Sequence, residues 1–190
     1  MDAPWTRSDR RSRFRSCDHR FDASTSVGPV AQNPDPNLQL ANLSGKARSL
    51  DDWLTVFQLA AVMVPPRLEA SAFNPVIERI FATLGDADVR TTIWVPGPES
   101  MARRILGSLA DRYLVWCDPD AALAKSLGLE RLPAFVHLRQ DTSLVAAAQG
   151  WSVSEWQKVA DGIAKAQHWT SPVLAGKGNP PASPGWAFGS

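Results

Sequence analysis

Few residues in this chain are of a type and spacing that could do chemistry. Two cysteines, Cys17 and Cys117, lie 100 positions apart, so no CxxC pair exists. A single thiol can reduce a peroxide or exchange with a disulfide, provided its pKa is lowered by a neighbouring cation or helix N-terminus. Cys117 ends an apolar run, Tyr113-Leu114-Val115-Trp116-Cys117, with no His or Lys beside it. A small core filler and a reactive thiol are both open readings, and Cys17 could resolve the second one from a mobile arm. Cys17-Asp18-His19 looks like part of a metal site but has no second half, so no metal is expected. His137 alternates with Phe135 and Arg139 along one strand face, as a hydrogen-bonded structural histidine or a base would. Arg67 and Glu69 could pair at the start of a helix. The chain contains no HExxH, glycine-rich phosphate loop or nucleophile elbow, so no cofactor is expected.

The elements that must position these residues are legible from pattern. Leu38–Leu43 alternates apolar and polar, and Ser44-Gly45 turns after it. Ser49 and Asp52 have capping spacing ahead of Trp53 and Leu54. Phe57–Val64 is nearly all apolar, a strand covered on both faces. Phe73, Val76, Ile77, Ile80, Phe81 and Leu84 mark one face of a helix that Pro75 must start or kink and Gly85 closes. Val89–Val95 is a second core strand, followed by a helix presenting Met101, Ile105 and Leu109. After the strand ending at Cys117, Asp118-Pro119 predicts an N-cap and first helical residue, with Gly128 ending that helix. Pro133 opens a strand to Leu138, and Leu144–Ala148 returns antiparallel to it. The last helix has Ser152 and Glu155 at capping-box spacing and Trp151 and Trp156 at the positions of a hydrophobic staple.

This order of elements resembles the thioredoxin plan with an extra helix–strand pair. Asp118-Pro119-Asp120, Ala124, Leu127-Gly128-Leu129, Leu132-Pro133-Ala134 and Gly150-Trp151 resemble the signature of the alkyl hydroperoxide reductase/thiol-specific antioxidant and TlpA/ResA branch of the thioredoxin-like superfamily. The resemblance spans roughly residues 38–168 and implies an α/β thioredoxin-like fold, a central mixed sheet flanked by helices, with a cis peptide at Leu132-Pro133. In redox-active relatives a proline follows the second cysteine of W-C-x-x-C by five positions. Pro75 resembles that proline, which places Arg67 and Ala70 where the two cysteines belong. The resemblance therefore implies that the dithiol route is closed. The resemblance implies a binding groove of Arg67, Glu69, Ala70, Arg131, Leu132 and Pro133, where an extended peptide would pair with backbone and Arg67 would favour an anionic group.

Composition bounds the rest. A length of 190 residues, 44% hydrophobic and 21% charged, suits one soluble domain with tails. We expect residues 1–36 as a disordered Arg-rich arm, 37–169 as the domain and 170–190 as a Pro/Gly-rich disordered tail that Trp186 and Phe188 could tether. Six of the 20 basic residues fall in the first 25 positions against four aspartates, which leaves 14 basic against 15 acidic groups beyond. Any nucleic-acid or acidic-partner contact would belong to the arm, where a solvated tail is the simpler reading. With no apolar leader and no membrane-length apolar run, a cytoplasmic location is expected. The arginine-over-lysine bias fits a GC-rich bacterial genome. The reading that follows is a redox-inactive module binding a protein or peptide partner, with a single-cysteine peroxidase or reductase acting through Cys117 as the alternative.

Overall fold

A computed structural model describes residues 31–187. Phe188 and the expected arm up to residue 30, with Cys17 and Cys17-Asp18-His19, lie outside the described residues. The chain begins with a hairpin, β1 (Gln39–Asn42) and β2 (Ala47–Ser49), turning through Gly45 at φ 76°. Only its first strand is legible in the sequence, because β2 is three residues long and carries no alternation. Ser49 then caps α1 (Leu50–Leu54) by accepting from Asp52 N–H at 3.1 Å. β3 (Gln58–Met63) leads through a six-residue 3-10 turn (Leu68–Phe73) into α2 (Asn74–Leu84), where Pro75 occupies the first turn rather than a kink.

β4 (Val89–Val95) is followed by α3 (Glu99–Leu106) and a short α4 (Leu109–Arg112). The single helix expected through Met101, Ile105 and Leu109 is broken at Gly107, whose φ of 54° takes the backbone out of the helical region. After β5 (Leu114–Cys117) the next helix, α5 (Ala122–Ser126), starts later than Asp118-Pro119 predicts, because Ala121 is left-handed at φ 53°. β6 (Arg131–Leu132) precedes Pro133, and the Leu132–Pro133 peptide is cis. β7 (Ala134–Leu138), β8 (Leu144–Gln149) and α6 (Val153–Ala166) complete the domain.

Seven strands form one mixed sheet in the order β2-β1-β5-β4-β3-β7-β8, with β3, β4 and β5 parallel and β7 and β8 antiparallel to their neighbours. Alternate residues of β3 feed two separate cores. Ala60 and Val62 meet α2, α3 and α6 through Ile77, Ile105, Trp156 and Ile163. Leu59, Ala61 and Met63 meet α1 and α5 through Leu54, Leu123 and Ala124. This two-sided cover is why β3 reads as an uninterrupted apolar run. At the start of α6, Trp151 and Trp156 pack edge to face with centroids 4.9 Å apart, the staple expected there. The capping box does not form. The Ser152 hydroxyl lies 3.0 Å from Ser154 Oγ, and Glu155 pairs with Lys158 at 2.7 Å instead.

Both tail boundaries need correction. Residues 31–36, expected in the arm, lie against α5: Gln32 N–H donates to Leu127 O at 3.0 Å and Asp35 N–H to Ser126 Oγ at 2.7 Å. The C-terminal segment, expected to be disordered, is docked as far as Ala187. Leu174 is fully buried, its N–H donates to Gln157 Oε1 at 3.0 Å, and Gln157 Nε2 donates to Pro172 O at 2.8 Å. Arg79 donates to Leu174 O at 3.2 Å and also bonds Asn179. The Pro/Gly-rich composition does prevent a helix or sheet of its own. Its backbone groups are satisfied instead by side chains and strand edges of the domain. Trp186–Ala187 forms β9, which pairs antiparallel with β6. Among the described residues no helix is long and apolar enough to cross a membrane.

Candidate peptide-binding edge

β3 and β7 run antiparallel with Met63 opposite Ala134. The chain leaving β3 and the chain entering β7 therefore lie at the same end of the sheet, as do the Arg67 corner and the Leu132–Pro133 peptide that continue from them. On the β3 side, Val64 N–H donates to Trp94 O at 3.0 Å and Arg67 N–H to Pro65 O at 2.8 Å, which fixes the corner. Arg67 is half-buried, Glu69 is exposed and Ala70 is completely buried. Ala70 is thus a core residue and cannot line an open groove, a correction to its expected place in the site. Arg67 is the N-cap of the six-residue 3-10 turn, with extended backbone and no side-chain cap bond.

On the β7 side, the strand edge is built by a residue that pattern reading missed. Gln149, at the end of β8, accepts from Glu130 N–H at 2.7 Å and from Arg131 N–H at 2.9 Å through one side-chain oxygen. This bracket holds β6 extended just before Pro133. Leu132 is 2% exposed within the α1/α5 core, and the chain's own C-terminal segment pairs with its backbone. Arg131 sits opposite Ala187 and Leu132 opposite Trp186, and Arg131 Nη1 donates to Gly185 O at 3.2 Å. The segment is pinned a second time at Trp151, whose N–H donates to Ser183 O at 2.7 Å while Ser183 N–H donates to Trp151 O at 2.9 Å. Trp151 Nε1 also donates to Pro180 O at 2.8 Å. The sequence signal for this contact is Trp186, a large aromatic residue in a Pro/Gly-rich segment. Beyond β9 the edge opens into a depression of about 450 Å³ lined by Lys125, Leu129, Glu130, Arg131 and Ala187.

The other chemistry-bearing residues lie apart from this edge. Cys117 ends β5 opposite Val95 and Ala41, with β4 between it and β3. It is partly buried against the α2/α3/α6 core. Burial and then the nearby Glu99 carboxylate push its thiol pKa up, more than the Arg103 guanidinium brings it down. That is the reverse of what activates a thiol. His137, near the far end of β7, is 1% exposed, and its Nε2 lies 2.7 Å from Gln58 Oε1. Burial, and secondarily Arg139, lower its pKa to about 4. It is a neutral core histidine. Among the described residues no group of three His, Cys, Asp or Glu side chains could hold a metal ion.

No protein-family model matches the chain, and no curated protein matches it in sequence. Solved structures do match. A candidate thiol:disulfide interchange protein DsbE from Chlorobium tepidum superposes with a TM-score of 0.60 at 13% identity, over 72% of this chain and 97% of that one. A candidate thioredoxin from Neisseria meningitidis gives 0.58 at 17% identity, over 74% and 91%. The thioredoxin domain of a thiol-disulfide oxidoreductase from Bacteroides vulgatus gives 0.55 at 11%, over 73% and 99%. With the sheet order and the cis proline already described, these matches make the chain a protein of the thioredoxin-like fold, and one whose two cysteines cannot form a CxxC pair.

Proposed function

We propose that the chain is a redox-inactive thioredoxin-like protein that binds a protein or peptide partner by strand pairing at Arg131–Leu132, bordered by Arg67 and Glu69. The observation that carries this reading is the state of that edge. Gln149 holds it extended, and it already pairs with an extended segment, so its backbone groups are arranged for strand addition. Two solved structures of the same fold are named as a thiol:disulfide interchange protein and a thiol-disulfide oxidoreductase. Here Arg67 and the buried Ala70 stand at the corner, and neither can form a mixed disulfide. The alternative, catalysis through Cys117, is disfavoured by the raised thiol pKa.

The test is insulin reduction and peroxide consumption by the full chain, alongside quantitative thiol labelling. Inertness in both assays is the expected result. Turnover that disappears in Cys117→Ser would replace this reading with the single-cysteine enzyme.

A further inference from the structure

The segment on the β6 edge is held by features that a nonspecific tail would not need. Gly185 has φ 79°, and a Cβ built on it would lie 2.5 Å from the Leu132 carbonyl oxygen and 3.0 Å from Gly150 Cα. Gly150 has φ 71°, and a Cβ there would meet the Ser183 oxygen and the Pro184 carbonyl group at 2.8 Å. The two backbones therefore approach so closely that each requires glycine for both conformation and space. Ser183 Oγ accepts from Gly185 N–H at 3.1 Å and shapes the turn into β9. Trp186, partly buried, then packs against the α2/α3/α6 core. A serine that sets the turn, a glycine that admits close approach and an aromatic anchor make up a recognition pattern, Ser-x-Gly-aromatic.

We propose that Ser183–Ala187 is a tethered competitor at the partner-binding edge, and that the partner is an extended segment carrying the same Ser-x-Gly-aromatic pattern. This rests on the strand-pairing function above and names its ligand class and its control. Pairing over two residues is weak in a free peptide, but attachment to the domain gives the tail an effective concentration of about 1 mM. A partner with only the tail's own contacts is therefore excluded at ordinary concentrations. It binds when the tail is released, or when it adds contacts in the depression beyond Ala187, between Lys125 and Glu130.

A fluorescein-labelled synthetic peptide with the sequence of residues 181–190 tests this, titrated into the full chain and its Gly185→Ala variant. Amide hydrogen exchange is followed in both. The substitution lies in the tail and replaces no residue of the domain's buried core. The expected result is loss of amide protection at 183–187 in G185A, with the peptide binding the variant at least ten-fold tighter than the unaltered chain. A peptide with alanine in place of its glycine should not compete. Gly150→Ala should release the tail yet refuse the peptide, because the added methyl obstructs any occupant. Equal peptide affinity in the unaltered chain and G185A overturns the proposal. So does a tail that stays protected in G185A, or peptide binding by G150A as tight as by G185A. Thiol turnover would sink redox inactivity without touching these affinities, so the two failures are distinguishable.

Discussion

Asp118 Oδ2 lies 3.2 Å from Trp94 Nε1 and 2.9 Å from Leu123 N, so one carboxylate oxygen joins the end of β4 to the start of α5. Both Trp94 and Asp118 are buried, at 0% and 8% exposure, so water cannot readily replace either bond. Asp118→Ala leaves the indole N–H without an acceptor and uncaps the helix. The expected cost is about 2–4 kcal/mol, combining a charge-assisted hydrogen bond with a stranded buried donor. Asp118→Asn keeps one acceptor and should lose less than half as much. Denaturant midpoints of the three proteins give the comparison, and an alanine variant as stable as the original would show that the bridge contributes nothing.

The buried neutral His137 makes stability depend on pH. Its folded pKa is about 4, while an unfolded histidine titrates near ~6.5. The unfolded chain therefore takes up a proton at higher pH than the folded one. The contribution is complete above pH ~6.5 and is lost progressively as pH falls towards 4, by roughly 2–3 kcal/mol in all. His137→Gln retains a polar group facing Gln58 but cannot titrate. Across pH 5–6.5 its unfolding free energy should slope less steeply than that of the unaltered chain. Parallel slopes would mean that His137 is solvated in the folded protein.

Much of the scaffold could be read from short-range pattern, because the features concerned are set by neighbouring residues. β3 announces itself by its apolar run, α2 by one face and Pro75 by its place in the first turn. Where local signals competed with distant ones, reading failed. Asp118-Pro119 has the form of a helix start, yet Ala121 turns left-handed and the carboxylate caps Leu123, five residues on. The Ser152/Glu155 box has the right spacing, but Lys158 and Ser154 take its two partners. The tail was the largest miss at the site. Composition showed that it could build nothing alone, but said nothing of the Leu132 edge that it joins.

Cys117 should be a slow nucleophile. Burial and Glu99 raise its thiol pKa, so the thiolate fraction at neutral pH falls below that of free cysteine. In a Cys17→Ser background, where Cys117 reports alone, iodoacetamide should react at pH 7 roughly ten-fold more slowly than with free cysteine, partial burial adding to the pKa effect. Glu99→Gln removes the nearby negative charge and should speed the reaction modestly. Labelling faster than free cysteine would restore the enzymatic alternative.

Gln149, the last residue of β8, is the most accessible means of loosening the edge without altering either strand of the β6–β9 pair. Its single oxygen accepts both the Glu130 and the Arg131 N–H, and its side chain is exposed, so water can partly replace it. Gln149→Ala should therefore cost only about 1 kcal/mol of global stability. Its larger effect is local. The Glu130 and Arg131 amides should lose protection, and β9 should loosen with them because its partner strand is no longer held straight. Gln149→Glu keeps an acceptor in place and should restore most of that protection. G185A gives the opposite result by this reasoning, since it frees the tail while Gln149 still covers the Glu130 and Arg131 amides. Residue-resolved hydrogen exchange on the three variants separates the bracket from the tail. Unchanged exchange at Glu130 and Arg131 in Q149A would show that another group holds β6 in line.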